Sequence, residues 1–182
     1  GRLNSGVRLS EGAAIDSTGS GVNAADITIS GQGGDGGASQ HGIELSGSSA
    51  PTVRTVAGDI VLTGTAGGGT NDNDGIRMFS GLIQSSGTGS GAGTITLTGT
   101  GGAGTTGGDN DGVTITGSQS RISSVDGNVQ ISGSGGAAVE FNNRGVFVGG
   151  ASTIESTGTT SDAATITIDG TGGDGRKFNR GV

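Results

Sequence analysis

The sequence predicts an all-β fold, a right-handed parallel β-helix (β-solenoid) of about five coils with three short strands in each. A Gly-Val or Gly-Ile pair recurs at intervals of 33–37 residues, and apolar and polar residues alternate in short segments after each pair. Alternation with a period of two is typical of half-buried strands, and a repeat of this length is typical of stacked coils. Crossovers between parallel strands are almost always right-handed, which gives the expected hand.

Each coil begins with a glycine that precedes its first strand, called here the opening glycine. Since stacked coils share one core, residues 1–182 are interpreted as a single solenoid segment. Its coils start near residues 6, 42, 75, 112 and 145, and a sixth begins at 181. We expect the segment to be part of a longer repetitive chain. The opening glycines are Gly6, Gly42, Gly75, Gly112, Gly145 and Gly181.

The three strands of a coil differ in pattern. The first alternates directly after the opening glycine, as in Val7-Arg8-Leu9, and the second has one aliphatic followed two residues later by a hydroxyl, as in Ile83 and Ser85. The third has an inward pair, and a glycine follows two residues later, where we expect the chain to turn through a positive φ. The inward pairs are Ile27/Ile29, Ile60/Leu62, Ile95/Leu97, Val129/Ile131 and Ile166/Ile168, and the glycines are Gly31, Gly64, Gly99, Gly133 and Gly170.

The connections between second and third strands alternate in length. Coils two and four have tight turns at residues 56–59 and 125–128, whereas coils one, three and five have longer loops at 19–25, 87–93 and 158–164. The sequence therefore predicts a two-coil unit of about 70 residues, with one side of the rod ridged at every second coil.

Composition excludes several classes of protein. Only 29% of the residues are hydrophobic and 44 are glycine, too few large side chains for an ordinary globular core. Disorder would not keep aliphatics in register over five repeats. The absence of cysteine rules out disulfides and thiolate metal sites, and the net charge of −7 argues against a nucleic-acid partner. No apolar run is long enough for a membrane-spanning helix, so membrane insertion is not expected.

The third-strand segments resemble repeats of filamentous-haemagglutinin-like adhesins and of very large repetitive bacterial surface proteins. The resemblance rests on Gly-Asp-Ile-Val-Leu-Thr-Gly at 58–64, Gly-Thr-Ile-Thr-Leu-Thr-Gly at 93–99 and Gly-Asn-Val-Gln-Ile-Ser-Gly at 127–133, and it extends from Gly6 to Val182. It implies an exported adhesin, matrix or fibre-forming protein at the bacterial cell surface or outside the cell.

The loops before two opening glycines carry candidate calcium ligands. Asp72, Asp74, Asp109 and Asp111 stand beside amides and glycines, and Ca²⁺ prefers several oxygen ligands. The period of about 35 residues departs from known calcium-binding repeats, and the corresponding loops of the next two coils lack acids. Asp and Asn also suit tight turns that need the left-handed conformation, so a structural role is the alternative.

An amide two residues before every opening glycine favours that structural role. Stacked at the coil spacing, these side chains would form a ladder of hydrogen bonds along the rod, and we favour this ladder over calcium. The amides are Asn4, Gln40, Asn73, Asn110, Asn143 and Asn179.

Nothing in the sequence indicates an enzyme. His41 is the one histidine, and its neighbours Gln40 and Gly42 predict a solvated loop position. The glutamates are scattered, and the tryptophan and tyrosine that often form sugar platforms are absent. Arg8 and Arg77 are expected to form cross-coil ion pairs with Glu44. The threonines on the outer side of the third strand suggest an ice-binding face, but strand propensity already accounts for them.

We therefore expect a non-catalytic structural or adhesive segment of an exported fibre. Its partners would be copies of itself, stacked end to end or side by side, or a longer parent chain, and surface glycans. A calcium-stabilised or carbohydrate-binding solenoid module is the alternative, with calcium as the one possible cofactor.

Overall fold

The structure is a computed structural model that describes residues 3–182. In chain order the strands are β1 (Val7–Ser10), β2 (Ala14–Ser17), β3 (Ile27–Gln32), β4 (Ile43–Ser46), β5 (Thr52–Thr55), β6 (Ile60–Thr65), β7 (Ile76–Met78), β8 (Gly81–Ser85), β9 (Ile95–Thr100), β10 (Val113–Ile115), β11 (Ser120–Ser124), β12 (Val129–Ser134), β13 (Val146–Val148), β14 (Thr153–Ser156) and β15 (Ile166–Thr171). Within residues 3–182 the single helical element is a 3₁₀ turn, Gly89–Gly91, and no helix is long and apolar enough to cross a membrane.

The fifteen strands form three parallel five-stranded sheets, one for each side of the coil. The first-strand sheet is ordered β1-β4-β7-β10-β13, the second-strand sheet β2-β5-β8-β11-β14, and the third-strand sheet β3-β6-β9-β12-β15. Every strand thus pairs with its equivalent in the next coil, which confirms the predicted solenoid of five three-stranded coils. The right-handed sense of the winding stays a prediction.

The register places equivalent side chains in columns along the rod. Ile131 pairs with Leu97 on one side and Ile168 on the other, as the inward pairs of the third strand predict. In the middle coils the inward aliphatics of all three strands are buried, whereas Ile15 in coil one and Ile166 in coil five are each 36% exposed. The core is a continuous apolar column that opens to solvent at both end faces.

The glycines of the third strand have a different role from the predicted one. None of Gly31, Gly64, Gly99, Gly133 and Gly170 has a positive φ, and each lies inside its strand, which continues one residue further. A Cβ on Gly133 would collide with the carbonyl oxygen of opening Gly145, and the other four face opening glycines in the same way. The prediction of a turn at these glycines is therefore wrong. Glycine is required there because the backbone of the third strand lies close to the backbone of the opening glycine.

In three of the five coils, the inward hydroxyl of the second strand hydrogen-bonds to the connection that follows it. Ser17 Oγ donates to the Ala25 carbonyl at 2.6 Å, and Ser85 Oγ donates to the Gly93 carbonyl at 2.6 Å. Ser124 Oγ likewise donates to the carbonyl of Gly127. In coils one, three and four the hydroxyl thus satisfies a carbonyl in the connection to the third strand, whereas the buried Thr55 hydroxyl of coil two makes no such bond.

The long connections share one turn, which supports the predicted two-coil unit. The backbone N–H of Ala24 donates to the Gly21 carbonyl at 2.9 Å, and Ala92 donates to Gly89 at 3.0 Å. Ala163 repeats the bond to Thr160 at 3.2 Å in coil five. These loops form the ridges, and the groove between the first two ridges lies over Val56 and Ala57.

Candidate functional site

The polar residues before the opening glycines form three columns along one corner of the rod. The column three residues before the glycine has a left-handed backbone in coils two to five and before Gly181, with φ between 57° and 62°. Such a backbone is uncommon outside glycine, although Asp and Asn tolerate it. The column consists of Ser39, Asp72, Asp109, Asn142 and Phe178.

The amide column, two residues before the glycine, is the predicted ladder. Asn73 Nδ2 donates to Asn110 Oδ1 at 2.8 Å, and Asn110 Nδ2 donates to Asn143 Oδ1 at 3.0 Å. The same oxygens also accept the backbone N–H of the residue in the preceding coil, and Gln40 N–H donates to Asn73 Oδ1 at 3.2 Å. The side-chain ladder is confirmed from Asn73 to Asn143, and backbone N–H donors extend it to Gln40 and Asn179. Asn4 instead donates to the Asp35 carbonyl at 3.3 Å.

The third column, directly before the glycine, forms a second ladder in the opposite direction. The backbone N–H of Asp74 donates to His41 Nδ1 at 3.2 Å, and that of Asp111 donates to Asp74 Oδ1 at 3.0 Å. The N–H of Arg144 then donates to Asp111 Oδ1 at 2.7 Å. The amide oxygens therefore accept backbone N–H groups of the preceding coil, and the acidic or imidazole side chains accept those of the following coil. This corner of a coil is thus hydrogen-bonded to both neighbouring coils.

His41 is buried, and the prediction of a solvated position is wrong. Its side chain is 2% exposed, with Nδ1 3.8 Å from Asp74 Oδ2 and Nε2 3.5 Å from Arg77 Nη1. Burial, together with the positive charge of Arg77, lowers the pKa of His41 from 6.5 to about 4. The imidazole is therefore neutral at pH 7, which suits the acceptor role of Nδ1.

Asp74 and Asp111 are buried carboxyls with different surroundings. Burial and the nearby charge of Asp111 raise the pKa of Asp74 well above its usual range. Burial also raises the pKa of Asp111, but hydrogen bonds from Arg144 oppose the shift. The Arg144 guanidinium contacts Asp111 Oδ2 at 2.7 Å and Asp109 Oδ1 at 3.3 Å, and it lies 3.7 Å from the centre of the Phe147 ring.

Asp72 has its own cationic partner. Arg77 Nη1 lies 2.5 Å from Asp72 Oδ2, and Ser39 Oγ donates to the same oxygen at 2.9 Å. Arg77 thus contacts Asp72 in place of the expected Glu44. The expected pair of Arg8 with Glu44 is present, with Nε 3.4 Å from Oε2.

The four predicted calcium ligands therefore fall into three environments. Asp72 contacts Arg77, Asp109 and Asp111 share Arg144, and Asp74 lies beside His41. Among residues 3–182 no group of three or more acidic, histidine or cysteine side chains is placed to hold a metal ion. A calcium ion at Asp72, Asp109 or Asp111 would have to compete with a guanidinium.

The outer side of the third-strand sheet carries a second polar array. Its outward positions form three columns in which hydroxyls predominate, and most of these side chains are exposed. Between the second and third columns runs the inward-pointing glycine column. The hydroxyl residues are Thr28, Ser30, Thr63, Thr65, Thr96, Thr98, Thr100, Ser132, Ser134, Thr167 and Thr171.

Sequence reasoning found the amide ladder but not the column beside it. Residues directly before the opening glycines share no side-chain type, because His, Asp and Arg differ in charge and shape. What His41, Asp74 and Asp111 share is an acceptor atom aimed at the next coil. Their shared position directly before an opening glycine is the one sequence signal that could have revealed this column.

Comparison with family models, with curated proteins and with solved structures finds no match to this chain.

Proposed function

We propose that this chain is a non-catalytic structural segment of an exported bacterial surface or extracellular fibre. One observation carries the proposal: backbone pairing, the apolar core and the corner ladders all continue in register through the five coils. Such an arrangement builds length, because each added coil repeats the same contacts with its neighbours. The resemblance to repetitive surface proteins supports the exported location.

The end faces indicate how the segment would be extended. Ile15 and Val148 at the two ends are 36% and 37% exposed, while the equivalent positions Val53 and Ile115 are fully buried. Strands at both ends also have unpaired backbone groups along one edge, which favours pairing with another strand. We propose that further coils, from a longer chain or from another copy, cover these faces.

Electron microscopy and light scattering of the isolated 182-residue chain test this proposal. We expect rods or filaments whose length increases in steps of roughly 24 Å, the height of five coils at about 4.8 Å each. Ile15→Asp should reduce association because it places a charge on an end face. Val22→Asp is the matched control, since Val22 is 99% exposed on a ridge.

A strictly monomeric chain at high concentration would contradict assembly by end-to-end stacking. In that case, tandem copies joined in register should still lengthen the rod by the same step. Failure of the tandem chain to lengthen in this way would contradict the structural role itself.

A further inference from the structure

The three outer faces of the rod differ in chemistry. Cross-coil ion pairs occur on the second-strand sheet, where Arg54 contacts Asp16 at 3.0 Å and Arg121 contacts Glu155. The first-strand sheet carries the pair of Arg8 with Glu44. The third-strand face has hydroxyls at most positions, with Asp169 as its one charged residue in the three outward columns. Strand propensity accounts for threonine on any of the three sheets, but it does not explain why the charged residues are concentrated on the other two.

The hydroxyls of this face are available for contacts outside the chain. Among residues 3–182, none of the serine and threonine side chains in the three outward columns makes a hydrogen bond within the protein. The inward hydroxyls of the second strand differ, since Ser85 and Ser124 are fully buried and bound to carbonyls.

A shallow trough gives this face a shape. It runs along the rod across β9, β12 and β15, with a volume of about 280 Å³. Gly99 and Gly133 contribute to its floor, because this position faces inward and leaves only backbone on the outer surface between two rows of polar residues. The walls are Thr98, Ser132 and Asp169 on one side and Thr100, Ser134 and Thr171 on the other.

We propose that this trough binds a neutral, linear polysaccharide that lies along the rod axis. The serine and threonine hydroxyls can both donate and accept hydrogen bonds with sugar hydroxyls, and the Asp169 carboxylate can accept them. Equivalent polar groups recur at each coil, about 4.8 Å apart, which is close to the length of one pyranose residue in an extended chain. Asp169 and the net charge of −7 disfavour a polyanionic glycan.

The repeat of the trough compensates for weak individual contacts. A single exchange of a water hydrogen bond for a sugar hydrogen bond contributes little net affinity. A polymer that contacts successive coils gains from effective concentration, so retention should increase with polymer length. The inference goes beyond the proposed structural function, and its test does not depend on filament assembly.

Affinity electrophoresis tests the proposal with soluble polysaccharides in the gel. The neutral probes are hydroxyethylcellulose, mixed-linkage β-glucan, glucomannan and dextran, and the anionic probes are alginate and heparin. We expect retardation by at least one neutral probe. Thr98→Val/Thr100→Val should weaken the apparent affinity roughly threefold or more, because two sugar-binding hydroxyls are lost while shape is kept. Thr153→Val/Thr159→Val, at exposed positions outside the trough, should leave it unchanged.

Several outcomes would overturn the proposal. These are equal retardation of the two double variants, retardation by alginate or heparin alone, and no retardation by any of the probes. Binding to ice crystals in a freezing assay without retention by a glycan would assign the face to ordered water instead. Circular dichroism of each variant confirms that the solenoid is intact before the affinities are compared.

Discussion

The Nδ2 of Asn73 donates a hydrogen bond of 2.8 Å to Oδ1 of Asn110, a residue 37 positions further along the chain. Both side chains are completely buried, and the same Oδ1 accepts the backbone N–H of Asn73 at 3.2 Å. One amide therefore satisfies two donors of the preceding coil while its own Nδ2 donates to the following coil. This pairing ties three successive coils through a single side chain.

Removing that amide should destabilise the rod. In Asn110→Ala the buried N–H and Nδ2 of Asn73 lose their acceptor, and each unsatisfied buried group costs about 1–3 kcal/mol. We expect the free energy of unfolding, measured in urea, to fall by about 2–4 kcal/mol. Asn23→Ala, at an exposed ridge position, is the control and should change stability little. Equal stability of the two variants would contradict a role for the ladder in holding the coils.

The register of the third strand predicts opposite outcomes for adjacent residues. Ile131 is fully buried between Leu97 and Ile168, so Ile131→Asp places an unpaired carboxylate in the core and should cost about 4 kcal/mol or more. Gln130 lies on the outer side, and Gln130→Asp should cost little. Thermal melts of both variants check this, and similar melting temperatures would show that the assigned register is wrong.

The third-strand glycines should not tolerate a methyl group. In Gly133→Ala the new Cβ would overlap the Gly145 carbonyl oxygen, so the two strands must separate and stability should fall by a few kcal/mol. Gly91→Ala is the matched control, because nothing lies within 4 Å of its added Cβ. We expect the control to be neutral or slightly stabilising in denaturant titrations. A neutral Gly133→Ala would rule out the close approach.

Buried His41 should resist protonation. Its pKa of about 4 in the folded chain is below the 6.5 of the unfolded chain, so unfolding takes up a proton between these values. The contribution of His41 to stability is therefore fully present above pH 6.5 and is lost as pH falls toward 4, by about 3 kcal/mol. Asp74 has the opposite dependence, since its raised pKa favours the folded chain at low pH.

Nuclear magnetic resonance can follow the protonation of His41 separately from that of Asp74. Because His41 is the one histidine in the sequence, its imidazole signals are unambiguous. They should remain those of the neutral ring from pH 8 to about pH 5. A titration midpoint near 6.5 in the folded chain would mean that the ring is exposed to water.

Calcium should have little effect on stability. Since Asp72, Asp109 and Asp111 already contact guanidinium groups, we expect millimolar calcium to change the melting temperature by no more than a few degrees relative to a chelator. A rise of about ten degrees corresponds to roughly 3 kcal/mol for a chain of this size. Such a rise, abolished in Asp72→Asn/Asp74→Asn, would establish a calcium site.

The fold could be predicted from the sequence because the repeat specifies both which residues of a strand face inward and which strand lies beside it. Once Ile95/Leu97 and Val129/Ile131 are aligned, parallel pairing places them in one column, and the structure confirms it. The same logic predicts the Asn73–Asn110 contact, since like residues at one offset meet. Repetition therefore supplies long-range information that a non-repetitive sequence lacks.

Contacts between unlike residues could not be predicted in this way. Two carboxylates, those of Glu44 and Asp72, lie near the Arg77 guanidinium, and the side-chain geometry places it in contact with Asp72. The burial of His41 depends on the residues that pack around it from other coils. The residues next to it in the sequence, Gln40 and Gly42, do not indicate this packing. The role of Gly133 depends on backbone separation, because glycine serves equally for a positive φ and for close approach.

The order of the sheets has a mechanical consequence. Coil one and coil five lie at opposite edges of all three sheets, so a force applied to the two ends of the chain acts on the coils in series. The interstrand hydrogen bonds lie along the pulling direction and would open one after another, as in unzipping. Each detached coil of about 35 residues would lengthen the molecule by roughly 110 Å, the extended length of the chain less one coil height. Under tension the rod would therefore behave as an extensible tether that yields coil by coil and dissipates load before it breaks.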